Sequence, residues 1–349
     1  MKILYGIQGT GNGHITKAIE MVPLLKNYAD VDVVISGNNY EINLPFEVKY
    51  NFKGITFLMN KNGGIDYWDT YKNLEIKKLF SDIKKIPISN YDLVITDFEP
   101  LSAWAARKNR IPVVGFGHQA SFAYKETPIL KNVFDPGRWV LKNFVRSHSN
   151  IGVHFKSYHP NIYTPIIRQK IKDLSPSTKN YIVVYLPAVH EDVVSEILSY
   201  IPCSHFCVFS KYAQKNKSYK NIEIFPLSES VFTEKIRDAK GVITNAGFET
   251  PAETLYLGKK LLVIPVKGQY EQQCNALALS KLGITTLKSF DFKHIEIIKH
   301  WIKQPQMNIP IEPANPMEII KSIFKEYSSV AAKYSGGKKE IKKIIPHRA

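Results

Sequence analysis

Cysteine is nearly absent. Cys203, Cys207 and Cys274 are the only three in 349 residues. An odd count gives no even disulfide framework, and the Cys203/Cys207 pair has no second pair to complete a zinc site. Both are therefore expected to be small buried apolar residues. No apolar run approaches the roughly 20 residues that a membrane-spanning helix needs. The opening MKILYGIQGTG enters a strand and a glycine-rich turn instead of the longer apolar stretch of a signal peptide, so a cytoplasmic location is expected. Acidic residues are in the minority, 31 against 47 lysines and arginines, for a net charge of +16. The surplus favours acidic partners: nucleotide diphosphates, anionic lipid head groups or nucleic acid. The basic residues are dispersed apart from Lys338–Lys343, and no zinc-finger or RNA-recognition signature accompanies them, so nucleic acid is not the expected partner.

What is present is a globular composition, 44% hydrophobic and 22% charged, in a chain long enough for two ordinary domains. Short apolar runs alternate with helical patterns. Ile3–Gly6, Val31–Ile35, Leu93–Thr96, Pro112–Phe116 and Ile151–Val153 read as strands, with a helix from His14 to Asn27. A second series follows: strands Tyr181–Tyr185, His205–Phe209, Ile222–Phe225, Gly241–Thr244 and Leu261–Ile264. Helices between them cover about Glu191–Tyr200, Ser228–Asp238, Thr250–Leu257 and Glu271–Leu282. The pattern predicts an α/β protein of two tandem Rossmann-like, doubly wound parallel sheets facing across a cleft. The expected domains are 1–165, 166–316, and a helical segment with a basic tail at 317–349, the first boundary falling in the proline-bearing stretch Tyr158–Ser177.

Polar groups collect just beyond the carboxyl ends of these strands, where such sheets bind ligands. The Gly6–His14 turn resembles a dinucleotide fingerprint at Gly9 and Gly11 but carries His14 where the third glycine belongs, and no Walker A lysine follows. Neither NAD, FAD nor a P-loop nucleotide is therefore expected. What remains, with Gly11 and Gly13, is a loop delivering a histidine to a helix start, a place suited to a general base. Asp97 ends the next strand and either orients His14 or caps the helix from Pro100; Glu99 is a further candidate for the orienting role. His118 and Gln119 follow another strand and serve either an acceptor or a plain turn. In the second half, Asn245, Gly247, Phe248, Glu249 and Thr250 offer a helix start for a diphosphate, Glu253 could accept two ribose hydroxyls, and Glu271 and Gln272 could bind sugar hydroxyls. Asp30-Val31-Asp32 has the spacing of a metal-binding pair but precedes a strand and reads as a turn, so no metal is expected.

Several of these segments resemble the GT-B glycosyltransferases, close to the MurG-type and UDP-glucuronosyltransferase-like enzymes (the family 28 C-terminal-like group). Gly9 to His14 resembles the family's N-terminal glycine–histidine loop, Gly247, Thr250 and Glu253 its Gly-x-x-[Ser/Thr]-x-x-Glu element, and Glu271, Gln272, Asn275 and Ala276 its acid-Gln-x-x-Asn-Ala element. Pro165 to Arg168 approximates a Pro-x-Arg element with one residue more, and would bring Arg168 toward the diphosphate. Tyr185–His190 departs from the family's Gly-Gly-Ser loop. The resemblance implies an inverting, metal-independent transfer from a nucleotide-diphosphate sugar, a UDP-sugar foremost, to an acceptor hydroxyl, without a cofactor. His14 would be the base, Asp97 its orienter, Glu253 the ribose ligand, and Glu271 and Gln272 the readers of the sugar. The amphipathic basic stretch Phe134–Val145 fits either a core-facing helix or an anionic bilayer, hence a lipid-linked or cell-envelope acceptor and a place on the inner membrane face. Two rivals stand beside this reading: a UDP-sugar 2-epimerase on the same fold, and a non-catalytic binder of nucleotide sugars or anionic partners.

Overall fold

A computed structural model describes residues 1–39, 44–59, 64–131, 135–305, 309 and 311–334. The first half contributes β1 (Lys2–Thr10), β2 (Asp30–Asn39), β3 (Tyr50–Phe52), the two arms β4 (Leu58–Met59) and β5 (Ile65–Asp66) of a small ribbon, β6 (Leu93–Asp97), β7 (Val113–Gly117), β8 (Ser149–Val153) and β9 (Ile162–Tyr163). Apart from the ribbon these form one parallel sheet in the order β3-β2-β1-β6-β7-β8-β9. The second half contributes β10 (Tyr181–Tyr185), β11 (His205–Ser210), β12 (Lys217–Tyr219), β13 (Ile222–Pro226), β14 (Gly241–Asn245), β15 (Lys260–Ile264) and β16 (Thr285–Thr286). Its order is β12-β13-β11-β10-β14-β15-β16, parallel except for the antiparallel edge β12.

Helices cover both faces of each sheet, which is why β6, β7 and β15 are buried along their whole length instead of alternating. In each sheet the strand order reverses beside the first strand, between β1 and β6 and between β10 and β14. Such a reversal leaves a crevice at the carboxyl ends of the strands. The helix Pro316–Tyr334 does not stay with the second sheet. Its Ile319, Ile320, Ile323 and Phe324 are buried, Phe324 lies against Tyr28, and Ser322 bonds the hydroxyl of Tyr163. It therefore packs back on the first half.

Three local readings change. β1 runs through Thr10, so most of the expected glycine-rich loop is strand and the turn narrows to Gly11. Asp30 and Asp32 lie inside β2, not in a turn; Lys49 and the Tyr91 hydroxyl each bond Asp32 at 2.7 Å, at the end of the sheet remote from the crevice. Cys203 is exposed, whereas Cys207 and Cys274 are buried. The expected helical segment from 317 is described as far as Tyr334, and Lys338–Lys343 lie outside the described residues.

Gly117 shows how tightly the first crevice is built. It closes β7 at φ +116, and a Cβ there would lie 2.4 Å from Asp97 Oδ1 and 2.8 Å from Lys17 Nζ. Both the conformation and the clash oppose a side chain. Gly117→Ala is expected to cost about 2–4 kcal/mol, read as a lower urea midpoint at unchanged m-value. A midpoint equal to wild type would contradict this packing.

Candidate active site

β1 passes through Gly11, at φ +96, into the helix Asn12–Lys26. No side chain caps this helix and its first turn holds no acidic residue, leaving its amino end electropositive. His14 sits in that turn. Its Nδ1 is 2.9 Å from Asp97 Oδ1, at the end of the neighbouring β6. Asp97 is fully buried, and Lys17 donates to both of its oxygens at 3.1 Å. Burial alone would raise the Asp97 carboxyl, but Lys17 and His14 beside it outweigh that and hold it below the usual carboxylate value.

Glu99, the other candidate, does different work. Its oxygens accept from the backbone N–H of Leu101 at 2.7 Å and Ser102 at 2.9 Å, capping the helix Pro100–Lys108. Between the two carboxylates, Phe98 takes φ 58, a conformation a bulky residue adopts only when its surroundings enforce it, and its ring lines the crevice.

The second half closes over this floor. A cavity of about 450 Å3 is lined by Gly11, Gly13, His14, Lys17 and Phe98 from the first half and by Gly247, Phe248, Glu249, Glu271 and Gln272 from the second. A Cβ on Gly247 would meet nothing within 4 Å, so the start of the helix Glu249–Tyr256 is open to the cavity. A Cβ on Gly13 would come within 2.7 Å of Glu249 Oε2. The Glu249 carboxylate thus lies against the amino end of the opposite helix, where negative charge is favoured. Thr250 is the second residue of its helix and half-buried.

The acceptor and sugar candidates are brought together across the halves. Gln119 Nε2 donates to both oxygens of Glu271, at 3.2 and 3.1 Å. The enclosure of Glu271 pushes its carboxyl up, against the pull of Gln119. His118 is buried: one ring nitrogen meets the Val153 carbonyl at 3.0 Å, the other the Asn275 side-chain amide at 2.8 Å, and its ring stacks on Phe248 at 4.1 Å. Burial lowers its pKa to about 4.

Other candidates are held by their neighbours. Arg168 binds Glu253 with two nitrogens, the Nη2–Oε2 arm at 2.7 Å, and also reaches Glu229 at 2.6 Å. Both oxygens of Glu253 are therefore engaged. Burial raises its carboxyl while Arg168 opposes the rise. The Gln272 side chain is held by Val266 N and Gln269, at 3.0 and 2.8 Å. Asn245 donates to the Ile264 carbonyl at 2.8 Å, while its Oδ1 is buried without a partner among the described residues. Among the described residues no group of three or more His, Cys, Asp or Glu could hold a metal ion, and no helix is long and apolar enough to cross a membrane. Lys17 and Phe98 escaped the sequence reading. Lys17 had a signal, since three residues after His14 it shares that face of the helix. The strained Phe98 had none.

Two facing sheets with a crevice at the switch point of each are the GT-B arrangement of glycosyltransferases. The chain belongs to Glycosyl transferase family 1, whose sequence profile matches residues 1–305. No curated protein sequence matches it. Among solved structures it is similar to Phytolacca americana UGT2 in complex with UDP-2-fluoro-glucose and pterostilbene, with a TM-score of 0.59 at 14% identity over 97% of this chain and 95% of that one. It is also similar to the spinosyn rhamnosyltransferase SpnG with spinosyn aglycone (TM-score 0.54, 11% identity, 96% and 99% covered) and to Acinetobacter baumannii MurG (0.53, 12%, 93% and 99%). At these identities the likeness is one of fold.

The depressed value at His118 sets a pH dependence. An unfolded histidine binds a proton near pH 6.5, whereas the folded one resists it until about pH 4. Its neutral form is accommodated in full above 6.5, and stability falls as pH drops toward 4. At 1.36 kcal/mol per pH unit the loss is about 3 kcal/mol. Urea titrations between pH 4 and 7 are expected to show this slope in wild type and a flatter one in His118→Phe, which keeps a ring against Phe248. Equal slopes would contradict the assignment.

Proposed function

We propose that this protein is an inverting glycosyltransferase that moves a sugar from a nucleoside diphosphate, a UDP-sugar foremost, to an acceptor hydroxyl. The observation that carries this reading is the His14–Asp97 pair at the floor of a cleft lined by both halves. Asp97 accepts from Nδ1–H and leaves Nε2 free of the proton, so that Nε2 can take the acceptor's proton as its oxygen attacks the anomeric carbon. The sugar–oxygen bond breaks on the opposite face, and its electrons leave with the diphosphate. Lys17 keeps Asp97 ionised, so the carboxylate stays an acceptor throughout the cycle.

The donor lies, in this reading, against the open helix start at Gly247, where backbone N–H groups favour the diphosphate in place of a metal ion. Glu271, beside Gln119, reads the sugar hydroxyls. Arg168 neutralises Glu253, so a ribose contact by Glu253 requires that pair to rearrange on binding. A UDP-sugar 2-epimerase is a second reading, favoured by the two carboxylates Glu249 and Glu271 in the same cleft.

The test pairs donor binding with turnover for UDP-, GDP- and dTDP-sugars. His14→Ala is expected to retain the donor dissociation constant within about threefold and to lose on the order of 10²–10⁴ in turnover, the usual worth of a general base. Asp97→Asn should fall in the same direction by less. Failure of every nucleotide sugar to bind would reject the reading, and a changed configuration at C2 without sugar transfer would favour the epimerase.

A further inference from the structure

Beyond the His14 cleft, on the far side of Phe98, Leu141 and Tyr270, the first half holds a second chamber of about 580 Å3. Those three residues and Gln119 line both spaces, so the two share a wall, to which the second half contributes Tyr270. The chamber is bounded by the ends of β6 and β7, by the loop after β7 and by the helix Pro136–Asn143. Arg107, Lys125, Arg138, Lys142 and Arg146 line it, and among the described residues no Asp or Glu does. All five are exposed, and none forms an ion pair among the described residues. The rest of the lining is largely apolar, with Phe98, Phe116, Ile129, Leu141 and Val145.

Five like charges around one concavity repel one another, and the arrangement is complementary to negative charge brought in from outside. Three of the five are arginines, whose planar forks match phosphate oxygens. The charges ring a recess of the size that encloses one small molecule, instead of spreading over a flat face, so a single ligand fits better than a bilayer. The apolar lining requires that ligand to carry a hydrophobic body as well.

We propose that this chamber binds a phosphate-bearing amphiphile, which, resting on the transferase reading above, is the acceptor. Its hydroxyl passes the Phe98–Leu141 wall toward His14, while its phosphate stays among the five cations. Uncharged aglycones of the same apolar size are discriminated against, because they leave the cationic ring uncompensated.

The experiment measures binding of octyl phosphate, octanol and inorganic phosphate to the full chain by calorimetry, alongside binding of the UDP-sugar. The same titrations use the variant Arg138→Gln/Lys142→Gln/Arg146→Gln. These side chains are solvent-exposed, and a thermal melt verifies that the variant folds. Octyl phosphate is expected to bind at least about tenfold more tightly than octanol and than inorganic phosphate, with the preference weakened by salt. The variant should lose most of that preference while its UDP-sugar affinity stays as in wild type. Equal affinity for octyl phosphate and octanol overturns the proposal, as does a preference that survives in the variant. So does a chain that ignores octyl phosphate but sediments with vesicles of phosphatidylcholine plus phosphatidylglycerol, because the cations would then serve a membrane face. If octyl phosphate binds as expected but no nucleotide sugar does, the chamber's ligand class stands and the transferase reading alone falls.

Discussion

A carboxylate with no exposure, Asp97, sits at the point where the first sheet reverses its strand order, and the surrounding architecture follows from keeping it charged. Burying an ionised carboxylate is tolerable only with close positive and hydrogen-bonding partners, and removing one partner from such a group typically costs about 3–5 kcal/mol. Lys17 supplies the charge and His14 the second bond, both from one face of the helix that leaves β1. Gly117 must be glycine to leave room for them. Phe98 accepts an unfavourable backbone conformation directly beside the carboxylate, and Glu99 takes over the capping of the next helix. The same set of bonds fixes the position of His14 relative to the cleft.

The two halves are joined by polar and aromatic contacts at the same level. His118 reaches from the first half to Asn275 and Phe248 of the second, Gln119 reaches Glu271, and Glu249 returns to the helix start at Gly13. Each contact involves a residue that is also exposed to, or borders, the cleft. A ligand entering between the halves must therefore exchange bonds with groups that already hold the halves together. The C-terminal helix, lying on the first sheet after the chain has completed the second, limits how far the halves can separate.

Much of this was legible in the sequence, for identifiable reasons. Strands buried on both faces leave unbroken apolar runs, so β1, β6, β10, β14 and β15 announced themselves, and with them the two doubly wound sheets. The glycines and polar residues past the strand ends located the cleft. The edges were not legible: β3, β9, β12 and β16 have two or three residues each and depend on pairing with a neighbour. The extent of β1 was misread because glycine suggests a turn, whereas Gly9 lies in the strand, where its absent Cβ allows β2 to approach at Gly37. Choosing between Asp97 and Glu99 required three dimensions, since Asp97 ends β6 and Glu99 lies only two residues beyond it. The engagement of Glu253 by Arg168, 85 residues away in the chain, also lay beyond any local pattern.

The account makes the cleft between the halves the seat of the donor, and hydrogen exchange of the purified chain with and without a saturating UDP-sugar tests that most directly. The account predicts slower exchange at the backbone amides that open the helices after β1 and β14, residues 11–17 and 246–253, and around 269–275. Unaltered exchange in all three segments at a concentration where the sugar nucleotide is bound would contradict it, as would protection confined to other parts of the chain.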